Sequence, residues 1–220
     1  MTCRFNTYVQ KDVRSLLQVE NLTTFDKFMR ICAGRTAQLF NYSAIATDVG
    51  ISQPTAVKWA SILEASFLTF RLEPHFKNFN KRLTKSPKLY FHDTGLVCFL
   101  LRITSSAQLE NHPLKGAIFE NWVVSEIQKS YRNNGTEPPL YFWRDQHGHE
   151  VDLLIDNSSH LYPIEIKSGA TFRSEWLDGL AWFNKLQDFD KGSVIYGGNE
   201  DFNFKDVMVQ SWSSLAPPNT

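Results

Sequence analysis

The run GHEVDLLIDNSSHLYPIEIKSG, Gly148 to Gly169, constrains the fold more than any other stretch of this chain, because it reads as two alternating strands around a polar turn. With Asn157 to His160 as the loop, symmetric pairing sets Asp152 opposite Glu165 and Glu150 opposite Lys167. Side chains alternate along a strand, so these four charged residues share one face, and Val151, Leu153, Ile155, Ile164 and Ile166 fill the other. A slip of one residue would drive the charges into the core, so the register is strongly specified.

Two opposed carboxylates in a half-buried site repel, and each resists ionisation unless something compensates. Three resolutions are open on the residues alone: a metal ion, a solvated face, or an ion-pair network in which Glu150 pairs with Lys167. A hard divalent cation, Mg2+ or Mn2+, suits oxygen ligands that leave room for water, with Lys167 beside it to orient a water or offset phosphate charge. Glu120 is a further candidate: it lies off the apolar stripe of Ile118, Trp122, Val123 and Ile127 on an amphipathic helix expected over 116–131.

Other chemistries find little support. His147 and His149 have the opposite strand parity from Asp152 and read as surface residues. No CxxC pair and no GxSxG elbow occurs, and Cys3, Cys32 and Cys98 are few and widely spaced, which suits a reducing, cytoplasmic setting better than a disulfide framework. The longest strongly apolar run, Val97 to Leu101, is too short to span a bilayer, and no signal-peptide core opens the chain, so a soluble protein with no membrane partner is expected. Trp59, Trp122, Trp143, Trp176 and Trp182 read as core residues.

The formal net charge is zero, yet it divides unevenly. Residues 1–93 hold thirteen Lys and Arg against seven Asp and Glu, and residues 94–220 hold ten against sixteen. The basic half suits an anionic partner. Helices are expected over 8–20 and 25–39. From Asn41 to Phe70, Ser43 and Ser52 offer N-caps, Pro54 sits in a first turn and Gly50 supplies the bend, which is a helix-turn-helix pattern.

Strand-like runs at 67–72 and 88–92 flank the basic segment HFKNFNKRLTKSPK, completing the outline of a winged helix. Gln53, Thr55 and Lys58 would then be exposed on the second helix, with Lys77, Lys81, Arg82, Lys85 and Lys88 in or near the wing, placed for DNA phosphates. The same surface would also serve a protein contact.

Downstream, Asp93 caps a helix over 94–101. Strands are expected at 140–144, 150–155, 161–166 and 193–196, with a helix over 175–186, giving a mixed α/β or α+β arrangement. The expected organisation is an N-terminal helical segment (1–24), a winged helix (25–93), a connecting helix and linker (94–112), and a second domain (113–220).

Glu120, Asp152 and Glu165-Ile166-Lys167 together resemble the PD-(D/E)XK nuclease superfamily motif. The runs FNKRLTKSPKLYFHDTGL (79–96), GAIFENWVVSEI (116–127), YFWRDQHGHEVDLLI (141–155) and PIEIKSG (163–169) resemble the C-terminal domain of unknown function that follows the ATPase module in bacterial and archaeal AAA-type ATPases. The resemblance covers about Tyr8 to Tyr196. It implies a winged helix followed by a restriction-endonuclease-like domain, a central mixed sheet flanked by helices.

In active superfamily members the corresponding ligands of Mg2+ would be Asp152, Glu165 and the Ile166 carbonyl, with Lys167 near the attacking water and Glu120 accessory. No GxxxxGK[ST] loop occurs, so no ATP site and no ATP hydrolysis are expected, and an ATPase partner in trans is one possibility. A metal-dependent DNA nuclease, a nuclease-fold module that binds DNA or protein without cutting, and a winged-helix regulator are the three readings. Oligomeric state is left open.

Overall fold

The computed structural model describes residues 22–75, 86–186 and 192–215. The helix expected over 8–20 and the wing residues Lys77, Lys81, Arg82 and Lys85 lie outside the described residues. Within them the chain is a mixed α/β structure of seven α-helices and a nine-stranded sheet.

The N-terminal part contains α1 (Leu22–Gly34), β1 (Gln38–Leu39), α2 (Tyr42–Val49), α3 (Gln53–Ala65), β2 (Thr69–Pro74) and β3 (Lys88–Phe91). Asn41, rather than Ser43, caps α2: its side chain accepts the Ala44 N–H, and the Ser43 hydroxyl donates to it as well. Gly50 ends the helix in the left-handed region at φ 87°, where a side chain would be strained, and donates to Ala46. Ser52 caps α3, with Pro54 in its first turn. Phe25, Phe28, Ile45, Ala56, Trp59 and Leu63 of the three helices form a common core with Leu89 and Phe91 of β3.

Then follow α4 (Thr94–Leu100), capped by Asp93 through the Gly95 N–H, α5 (Ser106–Glu110), α6 (Lys115–Asn133), β4 (Leu140–Arg144), β5 (Glu150–Asp156), β6 (Leu161–Lys167), α7 (Asp178–Asn184), β7 (Gly192–Tyr196), β8 (Phe202–Phe204) and β9 (Val207–Ser211). The helix expected over 175–186 is a 3-10 turn, Ser174–Leu177, leading into α7. The last two strands had no sequence expectation; β9 extends the sheet in parallel beyond β7, and β8 folds back on it.

Strand order is β1-β3-β2-β4-β5-β6-β7-β9-β8. The join between the two parts is a parallel pairing of β2 with β4, Glu73 beside Tyr141 and Pro74 beside Phe142. Helix α6 covers one face, burying Val123, Val124 and Ile127 against Phe142, Leu153, Ile155, Ile164 and Ile166. Helix α7 covers the other, burying Leu180 and Phe183 against Trp143, Val151, Leu154 and Val194. Each such side chain contributes about 1.5–3 kcal/mol relative to exposure. No helix among the described residues is long and apolar enough to cross a membrane.

One irregularity corrects the expected face assignment. On β4 and β5, Tyr141 faces Leu154 and Trp143 faces Val151, so Asp152 and Leu153 together oppose Phe142. This bulge inverts the alternation. Val151 therefore joins Leu154 beneath α7, while Leu153 lies beneath α6.

A buried polar clamp fixes α6 to the N-terminal part. The Asn121 side-chain oxygen accepts the Phe91 N–H at 2.8 Å and the Thr36 hydroxyl at 2.5 Å, and its amide donates to the Phe91 carbonyl at 2.7 Å. Both Asn121 and Thr36 are wholly buried. Asn121→Ala strands three polar groups away from water and should lower stability by about 3 kcal/mol, read as a shifted urea midpoint.

Candidate functional site

The regular pairing of β5 with β6 starts at Asp156 beside Leu161 and ends at Leu153 beside Ile164. In that register the next opposed residues are Asp152 and Glu165, as the alternation of the hairpin requires. Here the Asp152 side chain replaces a backbone acceptor, taking the Ile166 N–H on Oδ2 at 2.8 Å. Lys167 Nζ donates to the same Oδ2 at 3.2 Å and to Glu165 Oε1 at 2.6 Å. Asp152 and Glu165 are only 8% and 7% exposed, so the lysine bridges two nearly buried carboxylates.

The second oxygen of Glu165, Oε2, is buried without a hydrogen-bond partner. Gly179 of α7 faces it: a β-carbon there would stand 3.4 Å from Oε2 and 2.5 Å from the Glu150 carbonyl oxygen. The glycine lets the helix press close against the strand end, beside the unpartnered carboxylate oxygen.

The remaining charges correct two expectations. Glu150 does not pair with Lys167; its carboxylate binds Lys88, through Oε1, and Arg144 Nη1, 2.8 Å from Oε2. Lys88 is not a wing residue open to phosphate, being 2% exposed at the start of β3. Its Nζ donates to Glu120 Oε1 at 2.8 Å and lies 5.5 Å from the centre of the Phe142 ring. Tyr90, two residues along the same face, donates its hydroxyl to the same Glu120 oxygen at 2.7 Å.

Burial pushes the Glu165 carboxyl up to about 8, reinforced by the charge of Asp152 and opposed by Lys167. Burial likewise raises Glu120 to about 7, with Lys88 opposing and Asp152 adding to the rise. Burial alone would lower the two lysines, but the acids outweigh it: Lys167 and Lys88 both lie above their ordinary range, Lys167 through Asp152 and Glu165, Lys88 first through Glu120. Lys88, Lys167 and Arg144 thus face four acids, one more than they balance.

Such a donor set fits a hard cation in its chemistry: carboxylate oxygens that outnumber the cations beside them, one of them unpartnered. Its protein ligands would be two carboxylates rather than three. Among the described residues no group of three or more His, Cys, Asp and Glu is arranged to hold a metal.

Gln53 and Lys58 are exposed on α3, and Thr55 is half-buried, bonded to Ser52. His149 shares a hydrogen bond with Asp145 at 2.8 Å and stacks on Trp182 with ring centres 3.9 Å apart, and Trp182, half-buried, packs against the core beneath α7. Sequence reading passed over Tyr90 and Arg144, and placed Lys88 in the wing instead of the site. A usable signal was present in Lys88-Leu89-Tyr90-Phe91, where a lysine and a tyrosine of equal parity interrupt an apolar strand.

Each half of the chain is similar to a domain of unknown function. Residues 2–107 match the family model of one (DUF8612), and residues 115–215 match that of another (DUF4143). Among curated proteins, the uncharacterized proteins Rv2008c of Mycobacterium tuberculosis and Mb2031c of Mycobacterium bovis are each 30% identical over 209 residues, covering 92% of this chain and 45% of theirs. The chain therefore spans less than half the length of these relatives. No solved structure matches.

The close approach at Gly179 gives this geometry a direct check. Gly179→Ala sets a methyl group against the Glu150 carbonyl, forcing α7 outward, and should lower stability by about 1–3 kcal/mol, measured by thermal unfolding.

Proposed function

We propose that Asp152, Glu165 and Lys167 form a site for metal-assisted phosphodiester hydrolysis on DNA, carried by a PD-(D/E)XK-type domain that accompanies a winged helix. The observation that carries this reading is the bridge of Lys167 Nζ between Asp152 Oδ2 and Glu165 Oε1, beside the unpartnered Glu165 Oε2. A purely structural ion pair has no use for the second buried acid.

Asp152 and Glu165 would hold Mg2+ or Mn2+, with the Ile166 carbonyl as a third oxygen. A bound divalent cation supplies Lewis-acid polarisation of the phosphate and a lowered pKa for bound water. Lys167, moved from its bridge toward a substrate, offsets charge on the phosphate and positions the attacking water. The Ile166 N–H holds the Asp152 carboxylate in one orientation throughout. The exposed Gln53 and Lys58 of α3, with Thr55 and the basic run holding Lys77, Lys81, Arg82 and Lys85, would contact DNA phosphates.

Operation with an AAA-type ATPase module, in the same protein or in trans, belongs to the same proposal; relatives more than twice the aligned length leave room for one. A soluble cytoplasmic protein fits these partners.

A second reading, a nuclease-fold module that binds DNA or protein without cutting, draws on the ion pairs that Lys88, Lys167 and Arg144 already make with these carboxylates. A winged-helix regulator would use the exposed α3 surface alone and leave the buried acids without a role.

The test is incubation of plasmid, branched and single-stranded DNA with Mg2+ or Mn2+. The wild type should cut at least one, and Asp152→Ala or Lys167→Ala should reduce the rate by about 100-fold or more. Calorimetric titration with Mn2+ should show binding that Asp152→Ala removes. Absence of both cutting and metal binding in the wild type sinks the nuclease reading, whereas a gel shift without either supports the second.

A further inference from the structure

The carboxylates around Asp152 are not held by the second half of the chain alone. Lys88 and Tyr90 both reach Glu120 Oε1 from β3, and Lys88 also binds Glu150, two residues before Asp152 on β5. Asp152 lies close enough for its charge to act on Lys88, Tyr90 and Glu120. Strand β3 is otherwise committed to the N-terminal core through Leu89 and Phe91.

Burying an ammonium group at 2% exposure is expensive unless it is paired, and an apolar side chain of similar length would pack against Phe142 without that cost. The lysine is therefore explained by what it holds rather than by the space it fills. Its two acceptors sit on α6 and on β5, the elements that carry Glu120 and Asp152, so one ammonium group sets their separation.

Resting on the metal-site reading above, we infer that Lys88 is a positioning residue for that site, holding Glu120 and Glu150 as the layer behind Asp152. The site is thereby assembled across both halves of the chain, and an outer residue from the N-terminal part tunes ligands in the C-terminal part. Outer partners of this kind typically change metal affinity by about 10–100-fold when removed.

The test uses the full chain, with Mn2+ followed by electron paramagnetic resonance and urea unfolding followed in parallel without metal. Lys88→Met should weaken Mn2+ binding by about 10-fold or more, Lys88→Arg should restore most of it, and adding Glu120→Gln to Lys88→Met should recover part of the lost urea midpoint. Unchanged Mn2+ binding in Lys88→Met overturns the positioning role and leaves the metal site standing. Equal loss in Lys88→Met and Lys88→Arg, with equally lowered midpoints, reduces Lys88 to packing and also overturns it. A wild type that binds no Mn2+ overturns the metal reading itself, and the positioning role with it.

Discussion

The hydrogen bond from the Ile166 N–H to Asp152 Oδ2 marks where a backbone ladder gives way to side-chain chemistry. Up to Leu153 and Ile164 the hairpin is ordinary antiparallel sheet. Beyond that point a carboxylate substitutes for a carbonyl. A donor that would otherwise be buried unpaired instead anchors a negative charge, and that charge then requires Lys167, which recruits Glu165. The bulge opposite Phe142 serves the same end, because an extra residue in β5 turns Val151 toward α7 and leaves Asp152 at the strand's departure from regular pairing.

Charge balance organises the neighbourhood more than apolar packing does. Apolar burial on the two faces explains why α6 and α7 cover the sheet. It does not explain why α6 presents Glu120 to a buried lysine, or why the first turn of α7 holds a glycine close against the Glu150 carbonyl. Those choices follow from keeping water scarce around four acids while supplying three cations. Burial raises the Glu165 and Glu120 carboxyls even so, with Lys167 and Lys88 opposing the rise.

Much of this was legible in the sequence, for reasons that can be assigned. The loop 157–160, the hairpin register and the convergence of Asp152, Glu165 and Lys167 follow from alternation, which is a local rule. Strand β4 and helix α6 follow from equally local periodicity. What escaped were consequences of distant pairing: the bulge, set by how β4 meets β5; the burial of Lys88, which looked like one more cation of a basic run; and Asn121, whose partners are 30 and 85 residues away. Strands β8 and β9 are short, polar-edged and visible only once β7 offers them an edge.

The parallel pairing of β2 with β4 bears on how such a chain can be recombined. The two domain matches end at 107 and begin at 115, which marks that interval as a natural seam in the sequence. The hydrogen-bonded sheet crosses the seam, and so do the Asn121 clamp and the Lys88 pairs. A chimaera joined there would inherit β3 from one parent and α6, β4 and β5 from the other, mismatching backbone edge, clamp and counter-ion together. The heritable unit of this architecture is the whole sheet, and its two halves have to change in step.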